Sequence, residues 1–304
     1  MILSHWTEWP FLCYFQLMKI ALAQISPVLG DPGRNLKLHL NLIKKALARK
    51  ADLLVFPELS LTGYNLKDLA AEVALDPARS PLFQKLLKAS KEIDLVVGFV
   101  EESQREPGLV YNAAAYLAGG SIRHIHRKVF LPTSGMFEEG RFFAAGREFR
   151  PFETRFSRTG LLVCRDFLHY GASYCYLAGR AGLIITISAA PGRGIAESRA
   201  QGFETSRMWE LMGEAISFFS SALVIYCNRA GYEDGVAFAG GSFVYSPYGK
   251  LLARLPYLEE DFALVEVDLS EVRKARKSWP FRRDDRPEVI WRSLEKIIRE
   301  GHED

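Results

Sequence analysis

The sequence predicts an α/β protein in one domain, with mixed β-sheets covered by helices, and three observations carry that expectation. Short aliphatic and β-branched runs alternate with amphipathic stretches from Met18 to the end of the chain, the pattern of sheets layered under helices. Turn signals as tight as Gly119-Gly120 and Ser246-Pro247-Tyr248-Gly249 join neighbouring runs. Turns that short connect antiparallel strands, so the sheets are mixed rather than purely parallel. No internal repeat, low-complexity tract or Pro/Ser-rich linker divides the chain.

Each element follows from local chemistry. Residues 19–25 (KIALAQI) read as a buried strand. Asp31-Pro32-Gly33 is turn chemistry ahead of a helix at 35–49, whose Leu36, Leu40, Ile43 and Leu47 fall on one face. A second strand at 52–56 ends in Pro57-Glu58. A helix at 81–92 begins with Pro81, suited to a first turn by its fixed φ. Strands at 95–100 and 111–117 follow, and Gly119-Gly120 turns the chain into 122–126. The alternation continues with a strand at 161–163 ending at Cys164, a helix to about Ala181, a strand at 183–187, a long helix at 204–219 and a strand at 223–227. The last third is strand-rich, at 241–245, 251–255 and 263–267, before a helix at 285–299.

Composition narrows the function classes. The 304 residues are 48% hydrophobic and 25% charged, which excludes disorder and a small disulfide-stapled scaffold. Lys and Arg number 39 against 36 Asp and Glu, a net charge of +3. That excess is too small to argue for nucleic acid or an anionic membrane, and no apolar run approaches the ~20 residues of a transmembrane helix. Cys13, Cys164, Cys175 and Cys227 match neither a CxxC pair nor a zinc cluster. Free thiols in a reducing, cytoplasmic compartment are expected, with no metal and no cofactor. Residues 1–17 (MILSHWTEWPFLCYFQL) lack the basic start and cleavage site of a signal peptide. They read as an extension ahead of an original start at Met18, or as a lid or oligomer contact carrying Trp6, Trp9 and Phe11; residues 18–304 read as the single domain.

Three reactive side chains share one setting. Glu58 follows LLVFP, Lys128 follows IRHIHR and Cys164 follows GLLV, and strand ends are where an α/β scaffold presents groups to a crevice. Together they would make an acyl-transfer device: a thiol nucleophile, a carboxylate base and an ammonium to hold a developing oxyanion. By residue type alone they also read as a buried cysteine, a strand-end salt bridge and a solvated lysine.

The surrounding words decide between these. PELSLTGY at 57–64, HRKVFLP at 126–132 and LLVCRD at 161–166 resemble, in order and separation, the signatures of the nitrilase (carbon–nitrogen hydrolase) superfamily. MKIALAQISPVLGDPGRNL near the start, FEEGRFFAAG at 137–146, NRAGYEDG at 228–235 and GGSFVYSPYGKLLA at 240–253 extend the resemblance over nearly the whole chain. It implies a four-layer αββα sandwich with two mixed β-sheets between helix layers, and a homodimer or higher homo-oligomer. It also implies Glu58 as base, Lys128 as oxyanion stabiliser, Cys164 as nucleophile and the Arg165 N–H as a second oxyanion donor. Glu139, with Glu138 as its fallback, matches a further glutamate that positions substrate and lysine. Nitrile hydrolysers of the superfamily usually carry Trp-Glu after the cysteine, whereas this chain has Arg165-Asp166. The following DFLH resembles amidase-like members and the glutaminase domains linked to NAD synthesis. The resemblance therefore implies a small amide or ureido compound and water as reactants, with a glutaminase-like, ammonia-donating subunit of a synthetase or a nitrile hydrolyser as alternatives.

Other residues are assigned to the site or its surroundings. Tyr64 lies in a loop expected to shape the pocket. His169 either lines the pocket or caps the following helix, and Arg193 either pairs with a substrate carboxylate or is a surface arginine. Asp166 is expected to anchor the cysteine turn by accepting backbone hydrogen bonds. His124 and His126 share one strand face and read as partly solvated; the basic run at 273–277 with Arg282-Arg283 reads as a solvated face.

Overall fold

Pairing sorts the strands into two six-stranded sheets, and the period-two alternation of their side chains decides what each face covers. The computed structural model describes residues 17–194 and 202–301. The first sheet uses β1 (Leu17–Gln24), β2 (Leu53–Val55), β3 (Asp94–Glu102), β4 (Val110–Ala118) and β5 (Ser121–Arg127), with α1 (Pro32–Ala48), α2 (Leu69–Glu72) and α3 (Pro81–Ala89) in the connections. After α4 (Glu139–Phe142) the second sheet begins with β6 (Phe152–Glu153) and β7 (Arg158–Val163). A 3-10 turn at Cys164–Leu168, α5 (Tyr170–Ala178), β8 (Leu183–Ser188), α6 (Glu204–Ser220) and β9 (Leu223–Asn228) follow. A separate hairpin, β10 (Ala230–Glu233) with β11 (Val236–Ala239), precedes β12 (Phe243–Tyr245) and β13 (Leu251–Arg254). The chain then returns as β14 (Asp261–Asp268) and finishes with α7 (Ser270–Ser278), α8 (Phe281–Asp284) and α9 (Pro287–Glu300).

Both sheets are mixed. The order β14-β1-β2-β3-β4-β5 has a parallel centre, β1 to β3, flanked by antiparallel strands; β13-β12-β9-β8-β7-β6 has β7 to β9 as its parallel centre. Ala21, Ala23, Leu54, Leu95 and Val97 point away from the second sheet and pack under Leu36 and Ile43 of α1 and Phe83 and Leu86 of α3. The alternate residues Met18, Ile20, Leu22 and Val55 meet the second sheet, whose other face is covered by Tyr176 of α5 and by Trp209 and Ile216 of α6. The layers are therefore helix, sheet, sheet, helix, an αββα sandwich.

Several expected boundaries shift. Asp31 is the N-cap of α1, accepting from the Arg34 N–H at 2.8 Å, so Asp31-Pro32-Gly33 forms the first turn rather than a preceding one. Proline fits there because its missing N–H would be unpaired anyway. The helix expected after Cys164 is broken at His169 into the 3-10 turn and α5. The β10–β11 hairpin was not foreseen, although Asp234-Gly235 is its turn signal, at φ 48° and 77°. Nor was α7, because only Ser270, Val272 and Ala275 are buried in a charge-rich stretch. Among residues 1–17, all but Leu17 lie outside the described residues; Leu17 opens β1 opposite Asp268. Among the described residues, no helix is long and apolar enough to cross a membrane.

Candidate active site

Three chain segments leave their strands at one end of the sandwich. Pro57 and Glu58 follow β2, Lys128 follows β5 directly, and Cys164 follows β7 directly. Both turns at the strand ends are left-handed: Leu59 has φ 48° and Cys164 has φ 45°, a conformation uncommon for residues other than glycine. The Glu58 loop also needs Gly98, since a Cβ there would stand 2.4 Å from the Leu59 nitrogen and 2.5 Å from the Pro57 oxygen.

The charged side chains converge in the interior. Lys128, Glu58 and Glu139 are all buried, and the Lys128 Nζ donates to Glu58 Oε1 at 2.8 Å and to Glu139 Oε1 at 2.6 Å. Tyr64 donates its hydroxyl to the same Glu139 oxygen at 2.5 Å. Glu58 is fixed from both sheets: Asn112 Nδ2 donates to Oε1 at 2.7 Å, and the Ala189 N–H, just past β8, donates to Oε2 at 2.6 Å. The Glu58 N–H reaches Ser188 O at 3.4 Å, a further tie between the layers. Buried charges are tolerated only when paired in this way; removing one partner typically costs about 3–5 kcal/mol.

Two carboxylates around one ammonium set the electrostatics. Burial by itself would lower the Lys128 ammonium, but the charges of Glu139 and Glu58 outweigh it and hold its pKa above the ordinary lysine value. Burial raises Glu139, Lys128 opposes, and the nearby Glu58 raises it again. Burial and the Glu58 charge push the Cys164 thiol up, with Lys128 and the Ser188 hydroxyl acting the other way. The balance of these influences favours the thiol over the thiolate. Burial and the carboxylates likewise keep the Tyr64 hydroxyl protonated, as its donor role requires.

A second network supports the cysteine turn. Asp166 Oδ1 accepts the Val129 and Phe130 N–H groups at 3.1 and 2.9 Å, while Oδ2 accepts from His126 Nε2 at 2.8 Å and from the Val163 N–H at 3.4 Å. One carboxylate thus ties the chain after Lys128 to the chain around Cys164. This corrects the expected solvation of His124 and His126. They do share a strand face, but both are buried, because Phe152 stacks on His124 at 4.5 Å and Phe149 on His126 at 5.7 Å.

The remaining candidates stand at different removes. Arg165 directs its side chain to solvent, and its backbone N–H lies in the first turn of the 3-10 segment, where helical donors have no partner within the helix. His169 stacks on Phe130 at 3.5 Å in an apolar groove with Phe149, Tyr170 and Cys175, and none of the residues lining that groove belongs to the Glu58–Lys128–Glu139 cluster. Arg193 is exposed, its guanidinium over the Phe137 ring at 5.3 Å, and Phe137 in turn packs edge-on against Tyr64. Asn112 and Ser188 escaped the sequence reading. Their one signal was a polar residue inside the apolar runs VYNAAAYLA and LIITIS.

Comparison with known proteins bears on this geometry. The family model described as carbon–nitrogen hydrolase matches residues 19–277. The chain belongs to the carbon–nitrogen hydrolase family. Within this nitrilase superfamily, it is 31% identical to a glutamine-dependent NAD(+) synthetase of Thermotoga maritima over 84% of this chain, but spans only 42% of that relative's length. It is 30% identical to an (R)-stereoselective amidase of a Pseudomonas species over 88% of this chain and 92% of that one. The fold matches a carbon–nitrogen hydrolase from Helicobacter pylori with a TM-score of 0.76, at 24% identity, over 92% of this chain and 99% of the other.

Proposed function

We propose that the protein is a thiol amidohydrolase acting on a small amide or ureido compound, with Cys164 as nucleophile, Glu58 as general base and Lys128 as oxyanion donor. The supporting observation is the buried Glu58–Lys128–Glu139 cluster, whose charges act on the Cys164 thiol. An ammonium has three donors; two are taken by the carboxylates, and the third is left for the substrate oxygen. Glu58 likewise has about four acceptor positions, of which Asn112, Lys128 and Ala189 occupy three, leaving one on Oε2 for a proton.

In the first half-reaction Glu58 removes the thiol proton as Sγ attacks the carbonyl carbon. The oxyanion is held by Lys128 and the Arg165 N–H, worth about 3–4 kcal/mol per donor. Glu58 then passes that proton to the leaving nitrogen, the C–N bond breaks, and ammonia or an amine departs from a thioester. In the second half Glu58 takes a proton from water, hydroxide attacks the thioester, and the proton returns to the sulfur as the acid leaves. Glu139 and Tyr64 fix the lysine. The test is ammonia release over a panel of amides, ureido acids and nitriles with Cys164→Ala as the blank. Turnover is expected to vanish in that variant while its Tm stays close to that of the parent; undiminished ammonia release by Cys164→Ala overturns the mechanism.

A second reading is favoured by the synthetase relatives: a glutaminase-like unit that hands ammonia to a synthetase. Glutamine hydrolysed at least tenfold faster than other primary amides supports it, and glutamine left intact overturns it.

A further inference from the structure

The basic run of the last third does not stay a solvated face. Arg273 and Lys277 of α7 are exposed, but Arg276 turns inward and meets Arg180, from the turn after α5, and Arg282 and Arg283 of α8 around one cavity of about 370 Å³. That volume lies within the range of small-molecule sites. The cavity is on the outer helix layer of the second sheet, and none of its lining residues belongs to the Glu58–Lys128–Cys164 cluster.

Its charges are unbalanced. Among the described residues, Arg180, Arg276 and Arg282 have no carboxylate partner; Arg283 pairs with Asp284 at 3.0 Å, an exposed contact. Arg276 Nη2 donates to Ala181 O at 2.6 Å, which anchors the side chain against the end of α5, while its Nε is buried without an acceptor. Burial first, and Arg282 second, pull the Arg276 guanidinium down to about 10. A chain with nearly as many acids as bases has thus gathered four arginines and no acid among the residues lining one hollow. The rim is aromatic. Trp279 is 48% exposed and Phe219 57%, and Phe281 stacks parallel to the Trp279 ring at 6.1 Å, holding it as a fixed platform.

We propose that this cavity binds a phosphate-bearing small molecule with a planar ring, of the nucleotide class, its phosphate held by the forks of Arg180 and Arg282 beside the Arg276 charge and its ring laid on Trp279. Guanidinium forks match a tetrahedral phosphate through paired N–H donors, and an aromatic plane accepts a base by stacking. The two features needed (charge and a platform) come from the turn after α5, from α7 with its C-cap Trp279, and from α8 together, which a solvated face would not require.

Calorimetric titration of the full chain with inorganic phosphate, ribose 5-phosphate, adenosine and AMP tests this. Saturable AMP binding is expected, at least tenfold tighter than that of inorganic phosphate, with no binding of adenosine. Arg282→Ala, far from the catalytic cluster, should weaken AMP at least tenfold with an unchanged Tm and unchanged amide turnover. Trp279→Leu should bring AMP down to the affinity of ribose 5-phosphate. No saturable binding of AMP, or equal AMP binding by Arg282→Ala and the parent, overturns the site. Equal affinity for inorganic phosphate and AMP overturns the nucleotide assignment.

Discussion

Lys128 has three protons to donate, and the structure accounts for two of them; the function proposed here rests on the third. Its direction is set by Glu139 and Glu58, so replacing either carboxylate changes where the lysine points as well as the local charge. For Glu139→Gln, kcat is expected to fall about 10²–10³-fold, the range for a displaced oxyanion donor, with a smaller change in KM; steady-state kinetics on the best substrate of the amide panel measures this. Asn112 acts one step further out. It holds Glu58 Oε1 through a hydrogen bond to a charged group, typically worth about 1.5–3 kcal/mol, so Asn112→Ala should slow turnover about 10–100-fold. An unaltered kcat in Asn112→Ala would show that Glu58 keeps its position without it. The trio proposed as catalytic was legible in the sequence because each residue is embedded in a distinctive word. Asn112 and Ser188 were not, since a single polar residue in an apolar strand reads equally well as a satisfied core group until its partner is known.

At the scale of elements, the site depends on three turns held at fixed angles to their strands. β3 passes beneath the Glu58 loop only because Gly98 has no side chain, with the Pro57 and Leu59 backbone within 2.5 Å of a built Cβ. Backbone cannot move aside as a flexible side chain can, so Gly98→Ala should destabilise by about 1–3 kcal/mol or more, read as a fall in denaturation midpoint at constant m-value. Asp166 fixes the other two turns to each other. Asp166→Ala leaves the Val129, Phe130 and Val163 N–H groups unpaired, and a loss of about 3 kcal/mol or more is expected, each buried orphan donor costing about 1–3 kcal/mol. The strand pattern was readable because buried parallel strands are continuous apolar runs. The β10–β11 hairpin and α7 were less so: the first has little alternation, and the second has only a narrow buried edge along a heavily charged helix.

For the molecule as a whole, pH acts through buried imidazoles. His39 is fully buried between Asn35 O at 2.8 Å and Ser60 Oγ at 2.9 Å, and burial lowers its pKa from 6.5 to about 4, with the Asn35 carbonyl opposing. The unfolded chain protonates this residue near 6.5 and the folded chain only near 4. The stability it contributes is therefore complete above pH 6.5, declines as the pH falls through that window and is gone below it, about 3 kcal/mol in all. His124, lowered to about 4 by burial and by His126, acts in the same direction. Chemical denaturation at pH 7.5, 5.5 and 4.5 should show this decline, and His39→Gln should flatten it. Mixed sheets covered by helices were foreseeable from the alternating elements, and the sandwich from the family resemblance, yet nothing in the linear pattern reveals how closely the two sheets are joined at the site. Glu58 belongs to one layer and takes a hydrogen bond from Ala189 of the other, so the residue proposed as proton carrier is also a rivet through the seam. Warming that merely loosens the seam would stop turnover while the helices and strands are still intact; the enzyme should therefore fall silent several degrees before it melts.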